Sequence, residues 1–244
     1  MQLVIDIGNT QVKAAIFDGK EMKESFVFAS VEDMLLSGIV KNNPVNNCIL
    51  ASVVDNIAPF IAQLREKWNV LIFNSETPIP IKNLYKTAQT LGSDRLAAAV
   101  AGNSLYPDRN VLVIDFGTCI KYNFVNGNNE YLGGAISPGL NMRFNAMHTF
   151  TSRLPLLKFD QSYEALIGTN TNESMLSGAQ NGAIAEVIGF IEQYKQQFPD
   201  VNVVLTGGDV KFFEKRLKNS IFADQNLILK GLNEILDYNL NRIK

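Results

Sequence analysis

The 244-residue sequence predicts a mixed α/β protein made of two similar domains, and three observations carry that prediction. The first is an internal echo. Residues 4–17 read VIDIGNTQVKAAIF and residues 113–125 read VIDFGTCIKYNFV, about half a chain apart. The second is the succession that follows each copy, in which short β-rich runs give way to alternating strand and helix patterns. The third is composition: 46% hydrophobic and 19% charged residues allow a substantial core without cross-links. The length allows one large domain or two modest ones, and two are expected, at residues 1–106 and 107–244. No low-complexity linker separates them, so the joint near residues 106–110 is tight.

In chain order, residues 2–7, 11–17 and 24–29 read as three successive strands by their β-branched content. Residues 31–41 follow as a helix, with Ser30 placed to cap it and Asp33 near its positive end. Residues 48–53 form an apolar strand, residues 58–67 a helix and residues 70–73 a strand. This order points to a mixed sheet with covered faces. Residues 76–93 hold Pro78 and Pro80, lack periodicity, and read as an extended segment and loop. Ser93 or Asp94 then caps a helix running through Leu105.

The second half restarts the strand pattern from Val111 through Ile136. Residues 141–147 are helical, with Gly139 just before them able to let a backbone pass close by. Residues 171–198 give the longest helical signal. Residues 201–206 are a buried strand ending in Gly207, Gly208 and Asp209, and a helix is expected at residues 211–218. Residues 227–229 read as a further apolar run before a terminal helix ending at Arg242.

Each copy of the echo ends a strand in Asp-x-Gly and then turns through small, hydroxyl-bearing residues. Such a turn exposes backbone N–H groups beside a carboxylate, which suits phosphates and their metal ion. It equally suits two hairpins whose glycines only serve the turn; the matched pair favours the first reading. The first set is Asp6, Gly8, Asn9, Thr10 and Lys13, with Asp6 placed to bind Mg²⁺ directly or through water. Lys13, one pleat onward, could also simply face solvent. The second is Asp115, Gly117 and Thr118. A third, Thr206 to Asp209, offers two glycines for close approach of a flat ligand, although a strand-to-helix turn uses glycine anyway. The fourth is Gly92, Ser93, Asp94 and Arg95. Here a guanidinium can hold an anionic acceptor while the carboxylate takes the proton of an attacking hydroxyl. A capping Asp beside an exposed Arg is the plain alternative.

Other features exclude functions. A net charge of −2 and a pI near 5.5 argue against general affinity for nucleic acid or anionic membrane. Cys48 and Cys119 fit neither a metal spacing nor a disulfide framework, which favours a reducing compartment. Cys119 reads as a small packed residue. His148 is the only histidine, so no histidine-based triad or metal cluster is expected. No apolar run reaches the roughly 18 residues of a membrane span. No basic stretch precedes the first apolar run, so the expected address is the cytoplasm. The G-x-x-x-x-G-K-[ST] and G-x-G-x-x-G strings are absent, and a phosphate-binding protein must use another architecture.

Taken together the strings resemble the actin/hexokinase/Hsp70 superfamily of ATP-binding folds. More narrowly they resemble the type III pantothenate kinases. DIGNT at residues 6–10, LGSDR at residues 91–95 and DFGT at residues 115–118 carry the likeness, with GGAISPGL at residues 133–140 and GTNTNESMLSG at residues 168–178. The resemblance spans nearly the whole chain. It implies two actin/ribonuclease H-like domains with a nucleotide cleft between them. It implies ATP-dependent phosphorylation of pantothenate to 4'-phosphopantothenate, the first step of coenzyme A synthesis. By its terms Asp6, Ile7, Gly8, Asn9, Thr10, Gln11, Val12 and Lys13 enclose the ATP phosphates, and Thr118 contacts ATP. Asp94 is the general base. Gly92, Ser93, Asp94 and Arg95 line the pantothenate site, supported by Tyr85. Asp115 coordinates a monovalent cation, K⁺ or NH₄⁺. Thr171 reaches pantothenate from a partner subunit, which implies a homodimer with shared sites. Ala88 and Cys119 depart from the usual Pro and Ala of the family, and neither removes a chemical group. The alternatives are a sugar or acetate kinase of the same superfamily, which leaves residues 92–95 without a role, and a non-catalytic transcriptional accessory protein. Intact Asp6, Asp94 and Asp115 favour catalysis.

Overall fold

The opening string folds into an antiparallel hairpin, two apolar runs joined by a tight turn. The computed structural model describes residues 1–39, 44–54, 57–217 and 221–242. In it β1 (Gln2–Ile7) pairs with β2 (Val12–Asp18), setting Asp6 opposite Lys13 and Ile7 opposite Val12. β3 (Glu21–Phe28) adds antiparallel to β2. Ser30 then caps α1 (Val31–Leu36), its Oγ accepting the Asp33 N–H at 3.1 Å. This helix is shorter than residues 31–41. Ser37 Oγ donates back to the Met34 carbonyl, and Gly38 takes a φ of +65° that ends the helix. Val40 and Lys41 lie outside the described residues. β4 (Asn47–Ser52), α2 (Ala58–Arg65) and β5 (Asn69–Ile72) follow as a parallel β-α-β run. The sheet order is β3-β2-β1-β4-β5, with β4 parallel to β1.

The two-residue period of β1 is used on both faces. Leu3, Ile5 and Ile7 pack with Met34, Phe60 and Leu64 on one side. Val4 packs with Phe17, Leu96, Val100 and Leu232 on the other. Burial on both faces explains the unbroken apolar runs at residues 3–5 and 14–17.

A short β6 (Lys82–Asn83) and a 3₁₀ turn at Ala88–Thr90 break the extended segment before α3 (Ser93–Leu105). The second echo then forms β7 (Val111–Phe116) and β8 (Cys119–Val125), followed by β9 (Glu130–Pro138) and α4 (Leu140–Thr149). The long helical signal is one run with an internal defect: α5 (Thr171–Leu176), a π-helical stretch at Ser177–Asn181, and α6 (Gly182–Gln197). β10 (Asn202–Thr206), α7 (Val210–Arg216) and β11 (Phe222–Ala223) follow. Lys218, the expected end of α7, is outside the described residues. The strands run β11-β10-β7-β8-β9, with β10 parallel to both β7 and β11. Read from the third strand of each half, β3-β2-β1-β4-β5 and β9-β8-β7-β10-β11 are the same order. The echo in sequence is thus an echo in topology, and the expectation of two similar α/β domains is borne out.

Residues 227–229 belong to α8 (Leu227–Arg242) and not to a separate run. Three consecutive apolar residues are ambiguous alone, but Leu229, Leu232 and Leu236 continue at helical spacing. They pack with Leu96, Ala97 and Val100 of α3. Asn233 Nδ2 also donates to the Gly19 carbonyl at 2.9 Å, so α8 is tied to the first hairpin. Contacts therefore group Met1–Asp108, Val125–Leu132 and Asn226–Lys244 as one unit, and Arg109–Phe124 with Gly133–Gln225 as the other. The chain passes from the first unit after Asp108 and returns to it at Val125–Leu132 and again from Asn226. Within the first unit β6 pairs in parallel with the start of β9, Lys82 opposite Glu130.

Candidate active site

The first turn begins where β1 runs out of apolar residues. Asp6 and Lys13 are opposed across the hairpin, so their side chains share one face of the sheet, and both are half-buried. Between them Gly8 donates its N–H to the Gln11 carbonyl at 3.0 Å, which closes the turn and leaves Asn9, Thr10 and Gln11 exposed at its tip. Ile7 and Val12 are buried core residues whose contribution to any ligand is through the backbone.

The loop at residues 91–95 is built differently from the sequence expectation. Gly92 is the N-cap of α3 and makes no side-chain cap bond; Ser93 and Asp94 are already helical. Asp94 Oδ1 accepts the N–H of Arg95 at 2.8 Å, which fixes the carboxylate at the mouth of the helix. Ser93 Oγ is buried with no hydrogen-bond partner among the described residues. Arg95 is only 5% exposed, and its guanidinium carbon lies 5.6 Å from the centre of the Tyr85 ring. Tyr85 in turn lies 6.2 Å from the ring of Tyr131 and is held by the bond from its N–H to Asn83 Oδ1. Tyr85, Ser93, Asp94 and Arg95 are therefore one cluster in the first unit. Ala88, in place of proline, opens the 3₁₀ turn just before it.

In the second unit, Asp115 ends the buried strand β7 and is 5% exposed. Its Oδ2 lies 2.7 Å from Lys121 Nζ, on β8, with those side chains 7% and 17% exposed. Lys121 was not among the expected site residues. The signal for it was present, because both copies of the echo carry a lysine across the hairpin from the aspartate. Thr118 is exposed at the turn, and Cys119 is half-buried.

Two glycines hold this turn by close approach. A Cβ on Gly139 would lie 2.4 Å from the Gly117 carbonyl oxygen and 2.6 Å from that of Thr118. This glycine also donates its N–H to the Thr118 carbonyl at 3.1 Å, so the string at residues 133–140 buttresses the turn directly. Gly207, at φ +102°, presses on Phe116 and on Asp115 Oδ1, where a Cβ would lie 2.6 Å away. Asp209 completes the group: its N–H donates to the Phe116 carbonyl at 3.0 Å. Burial, then the negative charge of Asp115, hold the Asp209 carboxyl above the usual carboxylate range. Thr206, fully buried, has an Oγ1 with no hydrogen-bond partner among the described residues.

Thr171 is the exposed first residue of α5. Asn170 caps that helix by accepting the Glu173 N–H, and Glu173 accepts from both Thr169 N and Thr169 Oγ1. The small residues of the following run divide between two faces. Ser177, Ala179 and Ala183 are buried within the unit, while Gly178, Gly182 and Ala185 are exposed. Glu186, on α6, receives hydrogen bonds from Ser137, Tyr122 and Arg143, the last at 2.5 Å. Burial opposes ionisation of Glu186, but these donors outweigh it and hold its carboxyl below the usual range. His148 contacts the Leu154 carbonyl at 2.8 Å, a local structural bond. A surface pocket lined by Phe17, Lys20, Leu105 and Glu234 contains none of the candidate residues.

Among the described residues no group of three or more His, Cys, Asp or Glu side chains is placed to hold a metal ion. No helix among them is long and apolar enough to cross a membrane.

Comparison with known proteins connects this geometry to a chemistry. The family described as type III pantothenate kinase matches residues 2–193. A type III pantothenate kinase of Bacteroides fragilis is 43% identical over 244 residues, covering 100% of both chains. One from Flavobacterium johnsoniae is 42% identical over 245 residues, covering 99% of each. Among solved structures, a Campylobacter jejuni protein described as a Baf family transcriptional activator aligns with a TM-score of 0.64 at 20% identity, over 98% of this chain and 99% of that one. The activator of 2-hydroxyisocaproyl-CoA dehydratase from Clostridium difficile, solved with bound ADPNP, aligns at 0.55 and 13% identity, over 99% and 94%. These two likenesses are of fold alone.

Proposed function

The chain belongs to the type III pantothenate kinase family, and from that premise we propose that it transfers the γ-phosphoryl group of ATP to the primary hydroxyl of pantothenate in coenzyme A synthesis. The observation that carries this is end-to-end identity of 42–43% with kinases of that name, together with intact strings at both turns and the acceptor loop. We assign residues 6–13 to the ATP phosphates and Thr118 to a further ATP contact. Tyr85, Gly92, Ser93 and Arg95 bind pantothenate. The guanidinium of Arg95 suits its carboxylate, and the unpartnered Ser93 Oγ suits a polar group of the acceptor. Asp94 takes the proton of the attacking hydroxyl. The likeness to the Campylobacter protein is too distant to favour the transcriptional reading.

A divalent ion accompanies ATP in kinases and neutralises charge that develops on the phosphates. Asp6 is the carboxylate we assign to Mg²⁺. Among the described residues no cage of three such side chains surrounds it, which fits an ion whose other ligands are phosphate oxygens and water. The K⁺ or NH₄⁺ that the resemblance directs to Asp115 fits poorly, because Lys121 already holds that carboxylate at 2.7 Å. No step is assigned to a free cation. We place the reaction in the cytoplasm. In an ATP-consumption assay, pantothenate should be turned over and sugars and short acids should not. Turnover of a sugar, or of nothing in the panel, would reject this reading.

We further propose a homodimer in which Thr171 of one chain completes the partner's site. The exposed Gly178, Gly182 and Ala185 and the apolar Phe150, Leu166 and Ile167, which are 85%, 77% and 78% exposed, support a covered surface here. In a C₂ pair, an Asp94→Asn chain joined to a Thr171→Val chain carries both defects in one site and leaves the other intact. Isolated heterodimers should then recover about half of wild-type activity. Heterodimers no better than the mutant parents would reject the shared site.

A further inference from the structure

We propose that Lys121 supplies, from within the chain, the positive charge that the family resemblance assigns to a free K⁺ or NH₄⁺ beside Asp115, so that this kinase needs no added monovalent cation. The inference rests on the kinase reading above.

The geometry is that of an occupied cation site. Lys121 Nζ lies 2.7 Å from Asp115 Oδ2, and both side chains are largely withdrawn from water. The other carboxylate oxygen, Oδ1, is enclosed on the side of Gly207, where even a methyl group would come within 2.6 Å. One oxygen is thus filled by an ammonium group and the other crowded by backbone. A free K⁺ would have to share a single carboxylate with a fixed positive charge, and like charges at such range repel strongly in a shielded setting. Asp209 is the other acid that senses Asp115, and it contacts this group through its backbone bond to Phe116.

The chemistry of the substitution is conservative. A lysine head group is an alkylated ammonium ion with the charge of NH₄⁺ and three N–H donors. Its tether removes the entropic cost of capturing an ion from solution. The fold supplies the position for a simple reason. On β8, Ile120 and Tyr122 are 1% and 0% exposed within the core, so the alternation turns Lys121 to the opposite face. The turn of Gly117 and Thr118 then brings it back against Asp115. The first hairpin likewise sets Asp6 and Lys13 opposite one another in register. Lys121 therefore acts on ATP as a fixed charge behind the turn that carries Thr118.

The test compares wild-type enzyme in NaCl, KCl and NH₄Cl at equal ionic strength, with ATP, Mg²⁺ and pantothenate. Wild-type rates should be the same in all three. Lys121→Ala should lose on the order of 10²-fold in NaCl, the size of one preorganised electrostatic contact, and NH₄⁺ or K⁺ should restore most of it. Independently of turnover, KCl replacing NaCl should leave the thermal midpoint of nucleotide-free wild-type protein unchanged and raise that of Lys121→Ala saturably. Wild-type activity that climbs steeply with K⁺ or NH₄⁺, or a K⁺-specific rise in the wild-type midpoint, would overturn the proposal. The wild-type arms decide the matter even if the variant fails to fold. Wild-type protein inert toward pantothenate in every salt would reject the kinase reading instead, and the thermal comparison would still judge Lys121.

Discussion

Asp94→Asn should fold normally, bind ATP normally and turn over pantothenate roughly 10²–10⁴-fold more slowly, the range expected when a general base is removed. The reason to expect an intact fold is specific. Asp94 Oδ1 accepts the Arg95 N–H at 2.8 Å, and the amide oxygen of asparagine can accept the same bond in the same place. The buried Arg95 and its approach to the Tyr85 ring are left undisturbed, so the acceptor's anionic group keeps its anchor. What asparagine cannot do is take a proton from a hydroxyl. The loss should therefore appear in kcat with little change in the KM for pantothenate, as expected for an interaction made in the transition state. Arg95→Ala should show the opposite pattern, with KM rising most. Turnover of Asp94→Asn near the wild-type rate would remove Asp94 from the role of base and leave the reaction to positioning and charge neutralisation.

The architecture was legible where a pattern had only one physical solution. The hairpin of β1 and β2 follows from two short apolar runs on either side of a tight turn, and the repeat of its string announced the repeat of the sheet order. Helix ends were less legible, because they depend on where backbone groups find partners. Gly92, not Ser93 or Asp94, caps α3, which frees the Asp94 carboxylate for the Arg95 N–H. The helical signal over residues 171–198 was sound, yet nothing in its composition marks the π-helical register shift at Ser177–Asn181. There Gln180, fully buried, binds both the N–H and the carbonyl of Asp160. Asp160 lies on a loop distant in sequence, and that contact is tertiary. The return of α8 to the first unit was hidden for the same reason: its apolar stripe is visible in sequence, but its partner is not. At the candidate site, residue types and spacing singled out Asp115 but not the ammonium paired with it. Taken alone, Lys121 looks like any polar residue on a strand; only laying the second copy of the echo on the first, where it matches Lys13, points to it.

Asp115→Ala should be both inactive and measurably unstable, and the two losses should separate on adding a second substitution. Removing the carboxylate takes from the Lys121 ammonium, only 17% exposed, the opposite charge that lies 2.7 Å from it. Breaking a buried pair from one side costs about 3–5 kcal/mol; the remaining exposure of Lys121 places this case near the lower end. At about 2–4 °C per kcal/mol for chains of this size, the midpoint should fall by about 6–12 °C. The double variant Asp115→Ala, Lys121→Met removes both charges while keeping an apolar stem in the strand. It should recover most of that stability, because the Lys121 charge is removed together with its counter-charge. It should not recover activity in NaCl, KCl or NH₄Cl, since neither the fixed ammonium nor a carboxylate able to hold a substitute ion is left beside the turn. A wild-type midpoint for Asp115→Ala would show that the pair carries no energetic weight, and full activity would show that the turn at Thr118 works without it. Stability restored without activity is the result that assigns Asp115 and Lys121 jointly to ATP and not merely to the fold.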